Sequence, residues 1–208
     1  MEGLAAEFHE NILEGMRTDA TKKNASIPGL EYLILPGYGN SGPGHWQTRW
    51  EANHPAFRRV QQSEWEHPIR EIWVETLEKA VDGSGPAIVL IAHSLACLVV
   101  AHWAAIAPPR SLSRIRAAFL VAPVDPSGPV FPTGAIGFAP APMAALPFPT
   151  LVVASSDDPY AGPEFSRACS QAWGSRLEEA GAIGHINSES GLGDWPEGLA
   201  MLQSLSGS

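Results

Sequence analysis

A serine between two apolar segments is the first candidate for chemistry in this 208-residue chain. The apolar run Ala87 to Ala92 is followed by His93, Ser94 and Leu95, and then by the apolar stretch Cys97 to Ala107. This order predicts a strand, a sharp turn and a helix, with Ser94 at the apex of the turn. Such a turn exposes a serine hydroxyl beside the N–H groups of the following helix, which stabilise an anion. We therefore predict nucleophilic chemistry at Ser94.

Two alanines, Ala92 and Ala96, flank Ser94 where the nucleophile-elbow pattern G-x-S-x-G has glycines. The pattern needs small residues there because the strand and helix backbones pack closely. Alanine adds one methyl group without forbidding the turn, whose strain falls on the serine itself. A lone serine after a strand is also a common helix cap, so the interpretation of Ser94 depends on partners elsewhere in the chain.

A base and an acid for this serine lie downstream. A serine hydroxyl is a weak nucleophile, and the histidine that activates it needs an acid to hold its tautomer. Asp157 and Asp158 follow the apolar run Leu151 to Ala154, and His185 follows Gly184 in a loop before the last predicted helix. The order serine, aspartate, histidine is that of α/β-hydrolases. The residues alone leave either aspartate as the acid, with its neighbour shaping the turn.

A glycine-rich turn, Pro36 to Asn40, follows the first predicted strand. Glycines allow a tight turn whose backbone N–H groups point toward the site. We predict that the N–H groups of Tyr38 and Leu95 form an oxyanion hole.

For other residues near these motifs, the sequence gives weaker evidence of a role in the site. His45, Asn40 and Tyr160 are candidates for the wall of the pocket. His93 is expected to point away from the nucleophile and to serve packing. Trp46 lies at helical spacing from a second tryptophan and is expected to fill the core.

Short apolar runs supply the elements that must position these residues. Runs that are apolar on both faces, separated by helical segments, predict a mostly parallel central sheet with helices on both faces, an α/β-hydrolase fold. The central strands are predicted at Tyr32 to Leu35, Ala87 to Ala92, Ala117 to Ala122 and Leu151 to Ala154. Weaker runs predict edge strands at Arg58 to Gln61 and Arg176 to Glu179. Helices are predicted at His45 to Asn53, Ile69 to Val81, Leu95 to Ile106, Pro163 to Trp173 and Trp195 to Leu205.

The remaining segments define the domain organisation. Val124 to Pro149 is rich in proline and glycine, which predicts a long loop, and we expect it to form a minimal cap over the site. Residues 1–30 carry clusters of polar residues and no strand pattern, which predicts a lead-in with one short helix. Residues 31–208 are predicted to form a single α/β-hydrolase domain.

Composition excludes several other classes. The formal charge is -9, from 13 Lys+Arg against 22 Asp+Glu, and such a chain repels nucleic acids and anionic membranes. Cys97 and Cys169 are expected to be buried thiols, and the acidic residues among the first twenty disfavour an export signal. A cytoplasmic location is therefore expected. The chain has no metal-ligand or nucleotide-binding motif, so neither a metal nor a cofactor is expected.

The motifs taken together resemble one family. They are Pro36 to Ser41, His45 to Gln47 with Trp50, His93 to Leu95, Asp157 to Tyr160, and Gly184 with His185. This set resembles the small serine hydrolases related to retinoblastoma-binding protein nine and the bacterial YdeN proteins, over residues 31–205. The resemblance implies a Ser-His-Asp triad, and aligning its motifs puts the acid on Asp158. The alanines beside Ser94 depart from the commoner glycine pattern.

The predicted function is hydrolysis of a small carboxylic ester, or a related acyl bond, through an acyl-enzyme. Ser94 is then the nucleophile, His185 the base and Asp158 the acid, and the partner is a small-molecule substrate. The alternative is a weak or inactive hydrolase that serves as a binding or interaction protein, since a fold alone does not establish a function.

Overall fold

A six-stranded sheet lies at the centre of the protein, in a computed structural model that describes residues 29–206. The strand order is β2-β1-β3-β4-β5-β6, and every neighbouring pair is parallel. The strands are β1 (Leu30–Leu35), β2 (Phe57–Arg59), β3 (Ala87–His93), β4 (Ile115–Val121), β5 (Thr150–Ala154) and β6 (Arg176–Glu179). The helices are α1 (Trp46–Asn53), α2 (Arg70–Asp82), α3 (Leu95–Ala104), α4 (Pro109–Leu112), α5 (Pro163–Trp173) and α6 (Pro196–Ser206).

This architecture confirms the predicted fold class. The four runs that are apolar on both faces form the four central strands, and the two weaker runs form the edge strands β2 and β6. Central strands of a parallel sheet are covered by helices on both sides, whereas edge strands keep contact with water. Within residues 29–206, no helix is long and apolar enough to cross a lipid bilayer.

Alternate side chains of each strand point to opposite faces, so the sheet separates two apolar cores. On one face, Leu33, Leu90 and Leu120 pack with α2, α3 and α5. On the other face, Ile34 and Phe119 pack with α6, with the two tryptophans of α1 and with Trp195, which precedes α6. The sheet is therefore held from both sides, and the carboxyl ends of its strands form one rigid edge.

Several element boundaries differ from the prediction. Helix α3 ends at Ala104 rather than Ile106, because Pro108 and Pro109 lie just beyond and disfavour helical backbone before them. His45 is the N-cap of α1 rather than its first residue. Strand β1 begins at Leu30, one residue before the predicted start of the domain. The predicted lead-in at 1–30 lies almost entirely outside the described residues.

The proline-rich segment 124–149 contains no helix or strand, as predicted, but only a short part of it covers the site. Val130, Pro132 and Thr133 border the cavity described below. The buried Phe138 and Phe148 instead pack against the core beside α2 and α3. Apolar side chains thus hold most of this loop on one face of the sheet, so only a small part of it contributes to a cap.

Candidate active site

Ser94 lies at the apex of a tight turn between β3 and α3. Its φ of 59° and ψ of -125° are strained for a residue with a side chain. The Ser94 N–H donates to the carbonyl of Val121 on the neighbouring strand at 2.9 Å, which ties the turn to the sheet. Ala92 and Ala96 are 0% and 1% exposed, so a larger side chain at either position would have to displace packed neighbours.

Three loops bring Ser94, His185 and Asp158 together. The Ser94 Oγ lies 2.8 Å from His185 Nε2, and His185 Nδ1 lies 2.9 and 2.8 Å from the two carboxylate oxygens of Asp158. The side chains of His185 and Asp158 are 8% and 4% exposed. Since a carboxylate only accepts, His185 carries its proton on Nδ1, and its Nε2 lone pair faces the serine hydroxyl.

The two neighbouring aspartates contact different parts of the histidine loop. Asp158 reaches the imidazole, whereas Asp157 Oδ1 accepts from the Gly184 N–H and the Ser155 hydroxyl, each at 2.7 Å. These two donors hold the pKa of Asp157 below its usual range. Asp157 therefore stabilises the backbone beside His185 and does not contact the His185 ring.

The glycine-rich turn approaches the serine closely. A Cβ placed on Gly37 would lie 2.8 Å from Ser94 Cβ and 2.9 Å from the His93 carbonyl oxygen. Among residues 29–206, neither the Tyr38 N–H nor the Leu95 N–H has a protein acceptor. Two residues whose N–H groups have no protein acceptor therefore border the same cavity as Ser94.

Gly37→Ala is expected to lower kcat by roughly 10- to 100-fold, because the added methyl must push the turn away from Ser94 and displace the Tyr38 N–H. Turnover under saturating substrate measures the effect. Gly44→Ala is the matched control in the same loop, since its Cβ would meet Ser188 at an ordinary 3.7 Å. Equal rates for the two variants would contradict the steric argument.

Arg59, on the edge strand β2, holds the glycine-rich turn in place through hydrogen bonds. Its position in the sequence does not indicate this role. Its guanidinium donates to Asn40 Oδ1 at 2.6 Å, the Ser41 carbonyl at 3.1 Å, Thr48 Oγ1 at 2.7 Å and Glu51 Oε2 at 2.8 Å. The side chain is 7% exposed, and such a buried charge is tolerated because its donors are satisfied. Asn40 borders the cavity as predicted, with its amide oxygen engaged by Arg59.

Gln47, part of the His45 to Gln47 motif, also supports the site, although the sequence did not indicate which atoms its side chain contacts. Its amide nitrogen donates to the carbonyls of Leu35 and Ile91, both at 3.1 Å, and its oxygen accepts from the Ser41 hydroxyl at 2.7 Å. Leu35 ends β1 and Ile91 lies near the end of β3. The amide therefore joins the strand that leads to the glycine-rich turn with the strand that leads to Ser94.

The cavity above Ser94 has a volume of about 530 Å³. Tyr160 and His45, both predicted for the pocket, border it, and the Tyr160 ring lies 4.4 Å from the His185 ring, centroid to centroid. Among the described residues, no group of three or more His, Cys, Asp or Glu side chains could hold a metal ion.

His45 is a neutral histidine in the wall of this cavity. Its Nδ1 accepts from the Gln47 N–H at 3.1 Å, so its proton is on Nε2, which has no partner among residues 29–206. Burial, and then the nearby Arg59 and His185, lower the pKa of His45 to about 4.

The free energy of unfolding is expected to fall as the pH drops from about 6.5 to about 4, because the unfolded chain then binds a proton that folded His45 does not. The loss due to His45 is at most about 3 kcal/mol, and the buried His93, whose pKa is also lowered by burial, acts in the same direction. His45→Asn keeps a cap acceptor for the Gln47 N–H and removes the titrating group. Urea unfolding between about pH 7 and about pH 4.5 should show a smaller loss in the variant, and parallel curves would contradict the prediction.

Comparison with known proteins identifies a family. A family model described as serine hydrolase matches residues 32–204. Among solved structures, a YdeN-like hydrolase from Pectobacterium atrosepticum is 30% identical, with a TM-score of 0.74 over 86% of this chain and 91% of that chain. A search of curated proteins finds no match.

More distant structures share the fold alone. The ydeN gene product of B. subtilis is 21% identical, with a TM-score of 0.67 over 86% of this chain and 99% of that chain. A thermophilic esterase from Thermogutta terrifontis is 17% identical, with a TM-score of 0.62 over 85% of this chain and 89% of that chain.

Proposed function

This chain belongs to the serine hydrolase family and is similar to YdeN-like hydrolases, and from this membership we propose that it cleaves small carboxylic esters through an acyl-enzyme on Ser94. The observation that carries the proposal is the 2.8 Å contact between Ser94 Oγ and His185 Nε2, with the Asp158 carboxylate on the other ring nitrogen. This is the arrangement that activates a serine for acyl transfer.

The reaction begins when Ser94 Oγ attacks the carbonyl carbon of the ester and His185 Nε2 takes the hydroxyl proton. Asp158 holds the tautomer of His185 and stabilises the imidazolium that forms. The bond to the alcohol oxygen then breaks, and His185 gives its proton to that oxygen. Water attacks the acyl carbon in the second half, with its proton going to His185. The bond between the acyl carbon and Ser94 Oγ then breaks, His185 gives its proton to Ser94 Oγ, and the acid leaves.

The negative oxygen of each tetrahedral intermediate is bound by the Tyr38 and Leu95 N–H groups. Both residues border the cavity at Ser94, and neither N–H has another acceptor within residues 29–206. Fixed donors of this kind stabilise charge that develops in the transition state, at about 3 kcal/mol for each donor.

Small, uncharged acyl groups are the proposed substrates. The cavity of about 530 Å³ is bordered by a short stretch of loop that includes Val130 and Pro132, and its rim carries the Glu189 carboxylate. This acid and the net charge of -9 disfavour anionic substrates. The same triad also serves thioesters and amides, so these are competing substrates within the proposal.

A fluorophosphonate probe and an ester series test the proposal. The probe should label the folded wild-type protein once, on the peptide that contains Ser94, and p-nitrophenyl acetate should be hydrolysed faster than the palmitate ester. A thioester and an anilide of the same acyl group separate the competing bond types. A folded protein that is never labelled would favour a binding protein on a hydrolase fold, and a clear preference for long chains would contradict the small-acyl proposal.

We also propose a cytoplasmic location, supported by two free, buried thiols. Cys97 and Cys169 are unpaired, and burial raises the pKa of Cys169 to about 12 and that of Cys97 well above its usual value. Such thiols are poor nucleophiles and pack as apolar side chains.

A further inference from the structure

The backbone around His185 is held by side-chain donors from two other elements. The His185 carbonyl lies 2.9 Å from His93 Nε2, and the Ile186 carbonyl accepts from Trp46 Nε1 at 2.8 Å. Ile186 is fully buried and has a φ of 49°, which is unfavourable for a branched side chain. Two successive carbonyls of a strained bend are therefore fixed by ring N–H groups.

The hydrogen bond from His93 defines its tautomer. A carbonyl oxygen only accepts, so His93 Nε2 carries the proton and donates it. His93 is 5% exposed, and burial holds the pKa of its ring well below the usual range, so that the ring stays neutral at physiological pH. The ring also contacts the His185 ring at 4.9 Å between centroids.

His93 immediately precedes Ser94 in the chain. Its side chain is hydrogen-bonded to the backbone of His185, whose imidazole faces the Ser94 hydroxyl. We propose that His93 is a positioning residue, whose Nε2–H links the nucleophile turn to the His185 carbonyl and holds the serine and the base at reacting distance. This inference rests on the proposed hydrolase function. It also revises the expectation that His93 serves packing alone.

The hydrogen bond between His93 and His185 affects the distance between the serine oxygen and the imidazole nitrogen. The Ser94 turn belongs to β3, whereas His185 lies in a loop that follows β6, 91 residues later in the chain. Proton transfer needs the serine oxygen and the imidazole nitrogen within hydrogen-bond reach, and a shift of about 1 Å costs up to about 100-fold in rate. His93 directly precedes Ser94, and its side chain donates to the His185 carbonyl. This hydrogen bond therefore limits such a shift.

Two substitutions separate the donor from the ring volume. His93→Phe keeps an aromatic ring without the N–H, whereas His93→Gln offers an amide nitrogen the same number of bonds from Cα. His102→Phe is the matched control, because His102 Nε2 also bonds a loop carbonyl, that of Phe138, at 3.0 Å and away from the Ser94 cavity. The measurements are kcat and KM for a short ester, thermal stability, and the low-field NMR signal of the His185 Nδ1 proton.

The expected result is a fall in kcat of roughly 10- to 100-fold for His93→Phe, with KM changed by less than about 3-fold and the low-field signal broadened. His93→Gln should restore most of kcat, and His102→Phe should lower stability without slowing the reaction. A folded His93→Phe protein with wild-type kcat, or His93→Gln as slow as His93→Phe, would overturn the proposal.

Nitrogen-15 NMR of the wild-type protein tests the link without a variant. His93 should appear as a neutral ring protonated on Nε2, and a ring protonated on Nδ1 would overturn the proposal even if His93→Phe fails to fold. A wild-type protein that never reacts with the fluorophosphonate probe would instead contradict the hydrolase function. The NMR result for His93 does not depend on that outcome.

Discussion

Ser94→Ala is expected to lower kcat by roughly 10⁵-fold or more, because every covalent step of the proposed reaction needs the serine oxygen. The hydroxyl lies 2.8 Å from His185 Nε2, and alanine leaves that nitrogen with no proton to accept. The oxyanion donors and the cavity remain, so a small residual rate over uncatalysed hydrolysis should persist. Steady-state hydrolysis of a short p-nitrophenyl ester and labelling by a fluorophosphonate probe measure the loss.

Ser156→Ala is the control for this substitution. Ser156 lies exposed on the loop after β5, and its N–H bonds the Gly181 carbonyl at 2.9 Å, a contact that alanine retains. The control should keep wild-type kcat and labelling. Residual activity of Ser94→Ala at the level of the control would exclude Ser94 as the nucleophile.

Asp158→Asn is expected to lower kcat by about 10³- to 10⁴-fold while the protein stays folded. The asparagine amide can donate to His185 Nδ1, which moves the ring proton to Nε2 and removes the lone pair that must accept the serine proton. The Asp158 side chain is 4% exposed, and both its oxygens lie within 2.9 Å of His185 Nδ1, so an asparagine there keeps its amide against the ring. The ester assay, with circular dichroism to verify folding, measures the effect.

Asp157→Asn provides a matched comparison one residue away. Its Oδ1 retains an acceptor for the Gly184 N–H, so kcat should fall by less than about 5-fold, in proportion to one weakened hydrogen bond. If Asp157→Asn were the slower enzyme, the acid of the proposed triad would be Asp157 acting in a rearranged loop.

The two aspartates illustrate what a sequence can determine. The position of both after β5 follows from the apolar run that ends at Ala154, because a strand buried on both faces has a recognisable composition. Which carboxylate reaches His185 depends on the direction of each side chain in the loop. The residues alone left this choice open, and the family resemblance indicated Asp158.

For the residues that support the site, the sequence by itself indicates even less about their contacts. Arg59 lies on an edge strand, and nothing around it in the sequence indicates that it holds Asn40, which lies 19 residues earlier. His93 was expected to serve packing, yet its ring bonds the carbonyl of His185, which is 92 residues away. The four apolar strands, the elbow at Ser94 and the order of the three polar residues are local patterns, so the sequence by itself determined them. The contact of Asp158 with His185, the hydrogen bonds of Arg59 to the glycine-rich turn and the hydrogen bond of His93 to the His185 carbonyl depend on tertiary structure, because side-chain directions and strand order bring together atoms that no local pattern relates.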